Sequence, residues 1–173
     1  MANTGDVLAM PDGTSFKLVQ SDTDTGGARC EFEITLPPGA PSPPKHFHPR
    51  QTEWWTVQEG TLSVYVNGSW RSLRAGESVS IPAGTAHTLK NRSNGTARVL
   101  DVHEPALDFQ QYIEKLHALV TAGKISSPSR PSTLFHFALL WREQQTQVAA
   151  SAPQRFGLAL LARLASLFGY SVS

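Results

Sequence analysis

From residue 28 to residue 103 the chain falls into short segments of alternating apolar and polar residues separated by turn signals, a pattern that restricts this region to an all-β architecture. Strands are expected over 15–20, 28–36, 53–57, 61–67, 69–74, 77–81, 86–91 and 96–103. Asn67-Gly68 is the strongest turn signal, because this pair accepts the positive φ angles of a two-residue hairpin. Side chains alternate along a strand, so Leu62, Val64 and Val66 share one face, read as the interior, with Tyr65 opposite.

After Pro105 the period lengthens. Phe109, Tyr112, Ile113, Leu116, Leu119 and Val120 follow helical spacing, with Asp108 placed to cap the start and Gly123 to end the helix. The segment Ser126-Ser127-Pro128-Ser129-Arg130-Pro131 reads as a linker into a second helix over 132–147, and a third is expected over 153–169. The division expected is therefore residues 1–107 for the β-unit with its N-terminal strands and 108–173 for a helical extension. The last helix is apolar on most sides, but Arg155 and Arg163 interrupt a run that would need about 20 apolar residues to span a bilayer. No membrane span is expected. Such a helix must bury its surface on the β-unit or on a second copy, which points to a homodimer.

Composition excludes some partners. With 15 basic and 14 acidic residues, a net charge of +1 and no basic cluster, nothing indicates nucleic acid as a partner. Cys30 is the single cysteine, so no intramolecular disulfide can form. The N-terminus lacks the charged and apolar stretches of a secretory signal, and a cytoplasmic location is the default expectation.

Chemistry concentrates in four residues. His46 and His48 lie two apart on a strand and point the same way; Glu53 opens the next strand, and His87 opens another after the turn Pro82-Ala83-Gly84. Three neutral imidazoles and one carboxylate suit iron, manganese, nickel, copper or zinc better than magnesium or calcium, which prefer oxygen shells. If Glu53 points inward so do Trp55 and Val57, and Leu89 and Asn91 follow His87, which makes these four the candidate substrate pocket. Asn91 has turn capping as an alternative role. On 96–103 the core face is read as Leu100 and Val102, which places His103 outside.

These residues resemble the two motifs of the cupin superfamily. Gly39, His46, His48, Glu53 and Gly60 are similar to the first, with one extra residue in the proline-rich 40–44 loop, and Gly76, Pro82, Gly84, His87 and Asn91 are similar to the second. The resemblance covers roughly residues 30 to 105 and implies a double-stranded jelly-roll barrel. It implies a divalent transition metal on His46, His48, Glu53 and His87, with two coordination positions of a six-coordinate ion left for a small-molecule ligand or substrate. Similar cupins divide among dioxygenases, isomerases and proteins without known activity. A dioxygenase-type oxidation with Glu53 available as a base is the expected activity, a non-catalytic binding or sensing module the alternative and a metal-dependent isomerase the third.

Overall fold

The structure is a computed structural model that describes residues 1–126 and 129–172; Ser127 and Pro128 of the expected linker lie outside the described residues. Ten strands precede the helices: β1 (Val7–Ala9), β2 (Ser15–Gln20), β3 (Cys30–Leu36), β4 (His46–Phe47), β5 (Thr52–Glu59), β6 (Thr61–Val66), β7 (Ser69–Arg74), β8 (Ser78–Ile81), β9 (His87–Lys90) and β10 (Ala97–Glu104). Then follow α1 (Phe109–Thr121), α2 (Pro131–Glu143), β11 (Val148–Ala149) and α3 (Ala152–Leu167). Two antiparallel sheets form, one ordered β1-β2-β3-β10-β5-β8 and the other β11-β4-β9-β6-β7. This is the all-β unit that the alternating segments predict, in the jelly-roll form that the cupin resemblance implies, carrying three C-terminal helices.

Alternation sets what each strand buries. β3 turns Cys30, Phe32, Ile34 and Leu36 inward, β5 turns Glu53, Trp55 and Val57 inward, and β6 buries Leu62 and Val64. On β10 the buried residues are Ala97, Val99, Asp101 and His103, while Leu100 and Val102 are half-buried on the other face. The expected outward His103 is thus corrected. Hydrophobicity alone favoured Leu100 and Val102, but pairing to β5 puts His103 opposite Glu53 and Asp101 opposite Trp55. Residues paired across a sheet share a face, so the inward Glu53 carries His103 inward with it. At the β5–β6 turn Gly60 has a φ of +75°, and a Cβ there would run into the Thr96 carbonyl.

The extension is not a loose appendage. Phe109, Tyr112, Ile113 and Leu119 of α1 and Leu140 of α2 join the apolar core of the sheets, while Ala138, Leu139, Ala162 and Ala165 form a separate small core between α2 and α3. Gly123 follows α1 with a φ of +69°, as a helix stop requires. Asp108 does not cap α1: its carboxylate accepts from the Gln145 backbone N–H instead.

The second helix differs from expectation in length. It stops at Glu143, and residues 144–147 run on without helix into β11, a strand that the sequence reading did not contain. The Gln144 side chain substitutes for helical bonding here. Its Nε2 donates to the carbonyls of Trp141 and Gln147, and its Oε1 accepts from the Gln147 N–H and the Thr146 hydroxyl. β11 then pairs with β4, Val148 opposite Phe47 and Ala149 opposite His46, so residues 144–149 form a strap beside the histidines. On the outer side Phe156, Leu160, Leu167 and Phe168 are exposed, and among the described residues no helix is long and apolar enough to cross a membrane.

Candidate metal centre

β4, β9 and β5 bring the four sequence-derived ligands together. His46 pairs with His87 across the β4–β9 register, and their Nε2 atoms are 3.1 Å apart. His87 Nε2 lies 2.9 Å and His48 Nε2 3.4 Å from Glu53 Oε2. Two ligands about 2.1 Å from one ion are roughly 3.0 Å apart at a right angle and roughly 3.4 Å apart at the tetrahedral angle. The observed separations fall in that range.

The donors also point the right way. Each imidazole gives its Nδ1–H to a backbone carbonyl: His46 to Pro44 at 2.8 Å, His48 to Thr146 at 2.7 Å and His87 to Thr85 at 2.7 Å. This fixes the tautomer and leaves Nε2 as the inward lone pair, an arrangement typical of metal-binding histidines. His48 Nε2 and Glu53 Oε2 are both buried and without a hydrogen-bond partner. Buried polar atoms are normally satisfied, so two unpartnered donor atoms facing each other fit a shared cation. Residues present and donor chemistry therefore fit a divalent transition metal.

Electrostatics divides the cluster. Burial, with help from His87 and His48, pushes His46 down to about 3, and burial also holds His48 below the usual histidine range. Burial acts in the same direction on His87, but the Glu53 carboxylate outweighs it and His87 sits above the usual range. Burial would raise Glu53; the charges of His87 and His103 more than offset it and hold this carboxyl well below its ordinary value.

The candidate pocket residues fall in different places. Trp55 donates its indole N–H to Glu53 Oε1 at 2.7 Å and sets its ring edge-on to His87, with centroids 5.6 Å apart. Val57 and Leu89 are buried in the apolar core. Asn91 is buried too, but its amide is spent on the 91–95 turn, donating to the carbonyls of Leu36 and Gly95 and accepting from Ser93. That is the turn-capping role.

Sequence reasoning missed three contributors. His103 is fully buried, with Nε2 3.5 Å from Glu53 Oε1 and 3.2 Å from Asp101. Phe109 of α1 stacks on the His103 ring at a centroid distance of 3.5 Å, and Trp141 of α2 meets His46 edge-on at 6.2 Å. The period-two relation of Asp101 and His103 to Val99 was the available signal for the first. Nothing local marks Phe109 or Trp141, which act through tertiary packing.

Similarity to known proteins agrees with this geometry. The sequence profile of the cupin domain matches residues 32–103. The HTH-type transcriptional regulator PuuR of Escherichia coli is 33% identical over 60% of this chain and 55% of its own length. The tetracenomycin polyketide synthase protein TcmJ of Streptomyces glaucescens is 37% identical over 43% of this chain and 50% of its own. The chain thus spans about half the length of these curated relatives. Among solved structures, KdgF from Halomonas sp. superposes with a TM-score of 0.53 at 21% identity, covering 61% of this chain and 90% of that one, which supports the fold. With its two antiparallel sheets, its buried histidine cluster and the matching profile, the chain carries a cupin domain over residues 32–103.

Proposed function

We propose that His46, His48, Glu53 and His87 hold one divalent transition metal, drawn from iron, manganese, nickel, copper or zinc, and that the protein oxidises a small organic molecule with dioxygen. The observation that carries the metal reading is the buried, unpartnered pair His48 Nε2 and Glu53 Oε2, flanked by His46 and His87 at ligand spacing. A bound metal would supply Lewis acidity and a meeting point for dioxygen and an enolate oxygen. The chain's own residues do the rest. Carbonyls of Pro44, Thr85 and Thr146 orient the imidazoles, and Trp55 holds one oxygen of Glu53 while the other faces the histidines. Trp55, Val57 and Leu89 are the proposed walls of the substrate space, with Asn91 closing the turn behind them, and Glu53 is the proposed base that takes the proton of an enolisable substrate.

The proposed access route is through the extension. A cleft of about 250 Å³ lies between α2, β11 and α3, lined by Trp141, Gln147, Ala149 and Arg155 among others, and Trp141 stands between this cleft and His46. Enolisable oxygen chelators are the proposed substrate class. The likeness to a polyketide synthase protein supports it, since polyketide chains are rich in β-dicarbonyl carbon. The likeness to PuuR favours a second reading, a module that senses a small molecule without converting it. We further propose a cytoplasmic homodimer whose shared face includes Phe156 and Leu160 of α3, because both are exposed apolar side chains.

Oxygen uptake separates the readings. Protein loaded in turn with iron, manganese, nickel and copper is offered flavonols, catechols and β-diketones in an oxygen electrode. Uptake with one metal and one class, abolished by His87→Ala, is expected. Ligand-induced changes in the metal spectrum without uptake or conversion by any loaded form would replace the oxidase with the sensing module.

A further inference from the structure

Beside the four ligands lies a second group that the proposed metal site leaves unused. Among the described residues, two groups of side chains lie close enough to share an ion, His46, His48 and His87 in one and His48, Glu53 and His103 in the other, and Asp101 adjoins the second through His103. His103 belongs to the second alone. Its Nε2 lies 3.2 Å from Asp101 Oδ1, 3.2 Å from Asp101 Oδ2 and 3.5 Å from Glu53 Oε1, near the spacing of ligands around a common ion. All three side chains are buried: His103 is 0%, Asp101 2% and Glu53 4% exposed.

We propose that His103, Asp101 and Glu53 Oε1 form a second cation position, with Glu53 bridging two ions through its two oxygens. This rests on the metal reading of the first site, because it assigns Glu53 Oε2 to that ion. Three observations carry it. First, Glu53 directs its two oxygens to different partners, Oε2 to His48 and His87 and Oε1 to His103 and Trp55, which is how a bridging carboxylate is laid out. The Trp55 bond uses one lone pair of Oε1 and leaves another. Second, Asp101 Oδ1 is buried without a hydrogen-bond partner.

Third, the charge is unbalanced. Two buried carboxylates adjoin here, and among the described residues their ion pairs run to histidines alone. A divalent cation supplies that charge. One imidazole with two carboxylates suits manganese, iron or zinc, and a carboxylate bridge sets two ions about 3.5–4 Å apart. Phe109 covers the open face of His103, so the second position is shielded from water by α1.

Metal counting tests this on full-length protein purified without chelator or metal-affinity resin, stripped and titrated with Mn(II), with bound ion measured by mass spectrometry and by electron paramagnetic resonance. Two ions per chain with an exchange-coupled spectrum are expected, falling to one uncoupled ion in His103→Ala and in the near-isosteric Asp101→Asn, with circular dichroism unchanged. His46→Ala should keep the second ion. One ion in both wild type and His103→Ala overturns the second position while leaving the first standing. No ion in wild type overturns both. Loss of both ions from a folded Asp101→Asn protein, or two ions retained in His103→Ala, also overturns the assignment.

Discussion

The barrel and the helical extension bury their side chains in different ways. On β3, β5 and β10 every second residue is buried, and the inward faces end in the polar cluster at His103, Glu53, His48 and His87. On α3 only Ala162 and Ala165 are buried, while Phe156 is 73% and Leu167 80% exposed. Strand alternation gives the barrel its interior from local pattern, whereas the extension gains its place from what it covers. It covers the histidine cluster, through Phe109 on His103, Trp141 on His46 and the Thr146 carbonyl on His48.

The most severe way to break this comparison is to delete the extension. Truncation before residue 108 removes Phe109, Tyr112, Ile113 and Leu119 from the shared core together with the strap 144–149. The expected outcome is aggregation or a changed mass in solution by analytical ultracentrifugation. A truncated barrel that stays soluble with unchanged mass and melting would show that the extension is separable. A milder deletion from residue 132 onward should still free His48 from Thr146 and weaken metal retention.

His48→Ala and His87→Ala sharpen the contrast from the barrel side. Each should lose most of the bound metal in elemental analysis while circular dichroism stays native, because the apolar core of β3, β5, β6 and β10 lies beside the cluster and does not depend on it. Full occupancy in either variant would remove that residue from the site. Smaller effects are expected from single apolar truncations in the extension. Phe109→Ala should cost about 3–5 kcal/mol in urea unfolding, as for other buried phenylalanines. Leu160→Ala, about half exposed on α3, should stay within about 0.5 kcal/mol. Equal costs would erase the distinction between a buried and an uncovered face.

A graded effect is that of pH on metal affinity. His87 is raised above the usual histidine value of about 6.5, so below that raised value an ion must displace a proton from it, whereas burial lowers His46, to about 3, and His48, so both release their protons at lower pH. Affinity should fall about tenfold per unit as pH drops through the raised His87 value and level off above it. A slope of three protons, read by calorimetry across this window, would mean that the imidazoles titrate together.

How much of this was legible in the sequence follows the same division. β2, β6, β7 and β9 were readable from alternation and from Asn67-Gly68, and His46, His48, Glu53 and His87 from strand parity and turn position. His103 was misplaced because β10 carries apolar residues on both faces, so parity could not tell which faced in; the cross-strand partner Glu53 decides it, and that pairing is tertiary. β11 is two residues long and follows glutamines that favour helix, so no local pattern announces it; its register is set by β4. The hydrogen bonds of Gln144 are what end α2 early, and they exist only once Trp141 and Gln147 are brought together.

The account rests on one ion held among His46, His48, Glu53 and His87, and anomalous diffraction from metal-loaded crystals, recorded above and below the absorption edge of the loaded metal, tests it most directly. A peak about 2.0–2.2 Å from the three Nε2 atoms and Glu53 Oε2 is predicted. A metal-loaded crystal with no peak there, or with its strongest peak at surface carboxylates, would contradict it.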